Sequence, residues 1–225
     1  MIKKGLFLSI FLLFFTFFLN SQSISAVFLE DKPFIPLAKI NHTLLQQLKE
    51  NPIYRASSEL EKDFIYWVNF ARLQPFSFCD SVLIPFLKEQ PTTNGVESKQ
   101  LIAELSKGVT LPILFPDQKL SNTAIDHAID LSKRNGEISH QSKNGTGFSQ
   151  RMKKVGVLSC AAENISLGQK NQLIALLLLY LDIGLPDAGH RKNLFNPRFI
   201  KMGVSVIKLK GQNQIITVQD FGCSK

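Results

Sequence analysis

Three short islands in the 225-residue chain hold the residue types that can do chemistry: Gly136-Glu-Ile-Ser-His140, Ala162-Glu-Asn-Ile-Ser-Leu-Gly168 and Gly189-His-Arg-Lys-Asn193. Each sets a histidine or a carboxylate beside glycine, alanine or small polar residues. His140 and His190 read as lying outside helix interiors, free to converge with Glu163 on a cleft. Two imidazoles and one carboxylate suit a borderline cation such as zinc. They equally suit general acid–base work. Histidines beside glycines also serve as plain structural hydrogen-bonding groups, and composition alone leaves both readings open.

The elements around these islands follow from periodicity and caps. Ser58 with Glu61 forms a capping box, and Leu60, Phe64, Trp67, Val68 and Ala71 then recur at helical spacing until Pro75. Phe78 to Leu87 reads as a second helix disturbed by Pro85. A polar loop (Pro91 to Gly95) and a helix to about Lys107 follow, with Gly108 as its C-cap. Asp117 to Asn135 is a helix with the stripe Leu120, Ala124, His127, Leu131, ending at Gly136. Ser149 to Val155 is a short basic helix. Leu173 to Leu181 is apolar throughout and too short to span a bilayer, so it belongs in the core. Phe199 to Lys210 and Gln214 to Phe221 pair as a hairpin about Gly211-Gln212-Asn213. Helices first and strands last give an α+β class, with helices layered on a small antiparallel sheet.

The N-terminus sets the compartment. Residues 1–26 read as a signal peptide: Lys3 and Lys4, an apolar run from Gly5 to Leu19, and a cleavage site at Ser23-Ile-Ser-Ala26. An uncleaved membrane anchor is the competing reading. Residues 27–57 form a leader in which Pro33 and Pro36 discourage regular structure and Leu44, Leu45 and Leu48 make a short helical turn. Export to a secreted or periplasmic compartment permits disulfides. Of three cysteines, Cys160 and Cys223 are the first choice for a pair, Cys79 being able to join either. The formal charge of +8 becomes +6 once Lys3 and Lys4 are gone. It is uneven: residues 27–115 carry 9 basic and 10 acidic side chains, and residues 116–225 carry 15 and 8. The basic residues are scattered, which fits a solvated face and offers no nucleic-acid arm.

Read in order, Trp67-Val-Asn-Phe-Ala-Arg72, Ser139-His140, Glu163-Asn-Ile165, Gly189-His-Arg-Lys-Asn-Leu-Phe-Asn-Pro197, Met202-Gly-Val204 and the closing hairpin resemble the CAP superfamily. These are the cysteine-rich secretory, antigen five and pathogenesis-related-1 proteins, here in the bacterial SCP-domain branch. The resemblance covers residues 58–223, with a helical insertion at about 76–115. It implies an α–β–α sandwich around a three- or four-stranded antiparallel sheet and a cleft with two histidines and two acids. Position by position, His140 and His190 match the histidines and Glu163 the first acid. The second acid is a glutamate in the family; this chain offers Asp182, one methylene shorter. His140 and His190 would be the ligands for zinc or another divalent ion.

Other residues take supporting readings. Arg191 can bind an anion or pair with a carboxylate. Glu137, three residues before His140, can orient it or stand exposed. Asn164 satisfies backbone groups, His127 is a core histidine, and Asn69 and Arg72 anchor the first helix to the sheet. His42 carries no assignment. The expectation is a secreted, non-catalytic protein binding a small hydrophobic ligand, an envelope polymer or a host surface at its His/acid cleft. A zinc-dependent hydrolase using that cleft, with Glu163 as base, is one alternative. A structural envelope protein is the other.

Overall fold

A computed structural model describes residues 21–25, 29, 33–134, 137–157 and 160–223. The apolar run of the expected signal peptide lies outside the described residues. Its last part, Ser21–Ser25, is strand β1. The expected leader is more regular than its prolines suggest. Asn41 caps α1 (His42–Glu50), and Asn51 caps α2 (Pro52–Ala56), whose proline sits in the first turn, where its missing N–H costs nothing.

Helix α3 (Glu59–Leu73) begins with the reciprocal Ser58–Glu61 box read from the sequence. All residues from Phe64 to Arg72 are buried, a wider face than one stripe provides. Asn69 works as a fragment of backbone: its Nδ2 donates to Leu114 O (3.1 Å) and its Oδ1 accepts from Leu114 N (2.7 Å). Arg72 has no solvent contact. Its guanidinium donates to the carbonyls of Pro112 (2.8 Å), Leu194 (2.7 Å), Asn196 (3.2 Å) and Phe199 (3.0 Å). Burial pulls its pKa down to about 10, so it stays charged at neutral pH. Helix α3 is therefore bolted to the segments leading into two strands, as the anchoring reading expects.

The insertion is a nearly continuous helical run: α4 (Pro75–Phe78), a π-helical turn over Cys79–Leu83, and α5 (Ile84–Glu89). Pro85 explains the irregular turn, because it cannot donate to the Ser81 carbonyl four residues back. That carbonyl accepts instead from Leu37 N at 2.8 Å. After α6 (Val96–Leu105) and the two-residue strand β2 (Phe115–Pro116) comes α7 (Gln118–Ser132), capped by Asp117. Next are α8 (Phe148–Lys154), β3 (Ala161–Gly168), α9 (Gln172–Leu181), α10 (Gly189–Leu194) and the hairpin β4 (Phe199–Lys208) and β5 (Ile215–Cys223). All ten residues of α9 are buried, as its composition requires.

The sheet order is β1-β3-β5-β4-β2. The three central strands are antiparallel, and each edge strand joins in parallel. One face packs on α3 and α9 through Ala162, Met202, Val204 and Phe221. The other packs on α7 through Ile165, Leu167, Ile216 and Val218. The result is the expected α–β–α sandwich. Cys160 and Cys223 form the expected disulfide, and Cys79 is a buried free thiol. Among the described residues, no helix is long and apolar enough to cross a membrane.

Candidate functional site

Successive strand residues point to opposite faces, and β3 applies this to its two polar residues. Glu163 turns toward α7 and α8, and Asn164 toward α10. Glu163 Oε1 takes the Nδ1 of His140 at 2.7 Å, and Oε2 accepts from the Arg151 guanidinium on α8. Arg151 also donates to the His140 carbonyl at 2.9 Å, so one arginine positions both partners. Directly across on β5 stands Asp220, whose Oδ2 accepts from Thr123 Oγ1 on α7 at 2.6 Å. Neither carboxyl reaches solvent.

Burial and mutual repulsion govern this carboxyl pair. Desolvation lifts Glu163 to about 7 against the pull of Arg151. Asp220 is held well above the ordinary carboxylate range by burial first and then by the Glu163 charge. One proton between them at neutral pH removes the like-charge conflict. Gly203 makes the arrangement possible. It lies beside Asp220 in the β4–β5 register, and a Cβ there would fall 2.1–2.3 Å from backbone atoms of Leu120 and Ser121. Its bare backbone lets α7 come close enough for Thr123 to reach Asp220.

The second pair lies on the other face. Asp182 ends α9 in the left-handed conformation (φ 52°), which aspartate tolerates better than most residues. Its Oδ1 meets His190 Nδ1, and its Oδ2 accepts from the Arg191 N–H at 2.9 Å. His190 thus sits in the first turn of α10, at the end of a short helix. Its carbonyl accepts from Asn164 Nδ2 (3.3 Å), whose Oδ1 accepts in turn from Asn193 (2.7 Å). Asn164 therefore contacts both a backbone carbonyl and a side chain. Arg191 donates to the Glu97 carbonyl (3.3 Å) and Gln100 Oε1 (3.4 Å), and Glu97 Oε1 accepts from Gly184 N (3.2 Å). The insertion thereby braces the loop that carries Asp182 and His190.

The four residues expected to share one cleft are thus two buried dyads with the sheet between them. Among the described residues, no three His, Cys, Asp or Glu side chains gather as a metal-holding group. Both Nδ1 atoms and both Glu163 oxygens are engaged within the dyads, and strand alternation sends Glu163 and the His190 side of the sheet apart, so the four side chains do not form one ligand set as placed. His190 Nε2 is buried without a partner among the described residues, yet one orphaned nitrogen makes no site. Glu137 is exposed, and His140 takes Glu163 as its acid instead. His127 is the core histidine expected. Its Nε2 lies 2.8 Å from the Ser139 carbonyl, and burial, then Arg151, pulls its pKa down to about 4, so it stays neutral and fixes the loop entering His140.

Sequence reasoning missed Arg151, Thr123 and Asp220. Asp220 did leave a signal: it falls in phase with Ile216 and Val218, a charge on the apolar face of its strand. Arg151 looked like one cation among several on a basic helix.

Among the described residues, an open groove lies away from both dyads. This groove of about 620 Å³ runs between α1, α2 and α3, lined by Tyr54, Tyr66 and Trp67, by Ile40 and Leu45, and by Lys49, Arg55, Lys62, Glu59 and Asp63. Burial raises the pKa of Asp63, while Tyr54 is pushed up to about 12 by burial first and then by Glu59. A smaller pocket of about 290 Å³, including Thr123 and Arg151, overlies the buried carboxyls.

Comparison with known proteins adds the following. The family model described as CAP, the cysteine-rich secretory protein family, matches residues 100–221. No curated protein matches the chain. Among solved structures, an extracellular SCP-domain protein from Bacillus anthracis is 29% identical, with a TM-score of 0.41, over 56% of this chain and 38% of that one. The chain thus spans well under half of that protein's length. An outer surface protein of Borrelia burgdorferi is also 29% identical, with a TM-score of 0.43, over 62% of this chain and 96% of that one. A cysteine-rich secretory protein of Staphylococcus aureus is 15% identical, with a TM-score of 0.39, over 61% and 38%.

Proposed function

The chain belongs to the CAP, or cysteine-rich secretory protein, family, and from that premise we propose that it is an exported, non-catalytic binding module whose ligand is an anionic amphiphile such as a long-chain fatty acid. The observation that carries this reading is the groove along α3. Three aromatic and two aliphatic side chains offer an acyl chain apolar surface. Three cations face two acids there. Lys62 makes a surface pair with Glu59 (2.8 Å), which a carboxylate headgroup can replace at small cost.

The His–acid dyads brace the domain in this reading. Each imidazole is oriented by a carboxylate through Nδ1, and Glu163 already accepts from His140 and Arg151, so we route no hydrolytic step through it. Export is supported by the leader and by the Cys160–Cys223 disulfide, which suits an oxidising compartment.

Trp67 is the one tryptophan of the chain and lines the groove, so its emission reports on that site. Titration with palmitate below its critical micelle concentration should shift the emission to saturation at one equivalent. Replacing Arg55 and Lys62 together by Glu should weaken binding by about tenfold or more, roughly 1.4 kcal/mol. Unchanged emission from a folded protein would overturn the proposal. Retention on envelope polymer or host cells without a Trp67 response would favour those ligands instead.

A further inference from the structure

Strand β1 occupies a place that its own sequence marks for removal. Ser21–Ser25 runs parallel to β3 in the register Ser21↔Ala162, Gln22↔Glu163, Ser23↔Asn164, Ile24↔Ile165 and Ser25↔Ser166. It also packs against α10, the helix carrying His190. The last three residues of β1, Ser23 to Ser25, belong to the Ser23-Ile-Ser-Ala26 cleavage signature. Among the described residues, β1 is the only strand on that side of β3.

The chain beyond β1 has anchors of its own. The Leu29 carbonyl accepts from Gln169 Nε2 at 3.3 Å, just past the end of β3. Phe34 is buried edge-on against Phe86, and Leu37 N donates to the Ser81 carbonyl. Cleavage after Ala26 therefore leaves Leu29 held near the end of β3 and strips five residues of pairing from its edge. A bared edge presents a row of N–H and C=O groups that another extended backbone can satisfy.

We propose that the outer edge of β3, from Ala162 to Ser166, is a docking edge for an extended peptide segment of a partner protein, and that the leader strand β1 holds this edge until it is cleaved. The partner segment is short, parallel to β3 and built of small polar and aliphatic residues, the chemistry that β1 already seats there. The edge is distinct from the α3 groove. The inference rests on the export reading and not on the amphiphile.

The experiment uses the protein recovered after export of the full chain. N-terminal sequencing should find a start at about residue 27, with the leader gone. Hydrogen exchange is then followed at those amides of residues 162–166 that point away from β5, alone and with the synthetic peptide Ser-Gln-Ser-Ile-Ser-Ala at millimolar concentration. The expected result is fast exchange that the peptide slows by about tenfold or more. A peptide with proline in place of its central serine lacks one donor N–H and should not protect. A start upstream of Ser21, slow exchange without peptide, or no response to the peptide would each overturn the proposal. A Trp67 response to palmitate in the same sample reports on the groove independently, so the two failures are distinguishable.

Discussion

Glu163 and Asp220 face each other across β3 and β5, both sealed from solvent, with Arg151 on one carboxyl and Thr123 on the other. The native state therefore holds a proton that the unfolded chain releases in the ordinary carboxylate range. Stability from that proton is fully present below this range and is lost as pH rises through about 7, the value to which Glu163 is lifted. His127 has the opposite sign. Its native pKa lies at about 4 against 6.5 unfolded, so its contribution is full above 6.5 and fades as pH falls toward 4.

Asp220→Asn should separate the two effects. The amide keeps an acceptor for Thr123 and removes the like charge. The melting temperature of the wild type should fall between about pH 4.5 and pH 7, and that of the variant, which keeps only the buried Glu163, should fall less, a gap of a few kcal/mol at most. Thermal melts at constant ionic strength measure it, and parallel curves would mean that the carboxyls do not share a proton.

Gly203→Ala should be among the most damaging single-methyl changes in the molecule. The added carbon meets the backbone of α7, which cannot yield as a side chain would. The expected loss is about 3 kcal/mol or more, read by urea unfolding. Gly147→Ala, where nothing lies within 4 Å of the new Cβ, should change stability by less than about 0.5 kcal/mol.

Arg72→Lys should destabilise by roughly 2–4 kcal/mol although charge is kept. A lysine cannot reach four carbonyls on three segments, and the buried oxygens left behind lose their donors. A Tm within about 2 °C of wild type, under 1 kcal/mol for a chain of this size, would show that the anchoring is dispensable.

Much of this scaffold was legible in the sequence, because its local rules and its fold agree. The Ser58–Glu61 box, the apolar α9 and the turn at Gly211-Gln212-Asn213 each specify one element without outside help. Strand β3 was not legible. Its eight residues include Glu163, Asn164 and Ser166, all buried, and no alternation survives when polar groups are satisfied by distant partners such as Arg151 and Asn193. The expectation of one cleft failed for a related reason. Glu163 and Asn164 are adjacent in sequence, so in a strand they must diverge, taking His140 to one face and His190 to the other.

Reduction should expose the Cys160–Cys223 link as a stability element. The bond joins residues 63 apart, and loop-closure entropy over such a span is worth about 4 kcal/mol. The Cys223→Ala variant should melt well below the wild type in the absence of reductant, and the two should coincide once dithiothreitol is added. A persistent difference would place the effect of the substitution elsewhere than in the bond.

The division between bracing dyads and a binding groove is tested most directly by one titration. Trp67 emission is followed against palmitate in the wild type, in Glu163→Gln and in the Arg55→Glu/Lys62→Glu double variant, each checked for fold by near-ultraviolet circular dichroism. Saturable binding should be retained within about twofold in Glu163→Gln and weakened by about tenfold or more in the double variant. Binding lost in Glu163→Gln but kept in the double variant would contradict the division and return the ligand to the His/acid residues.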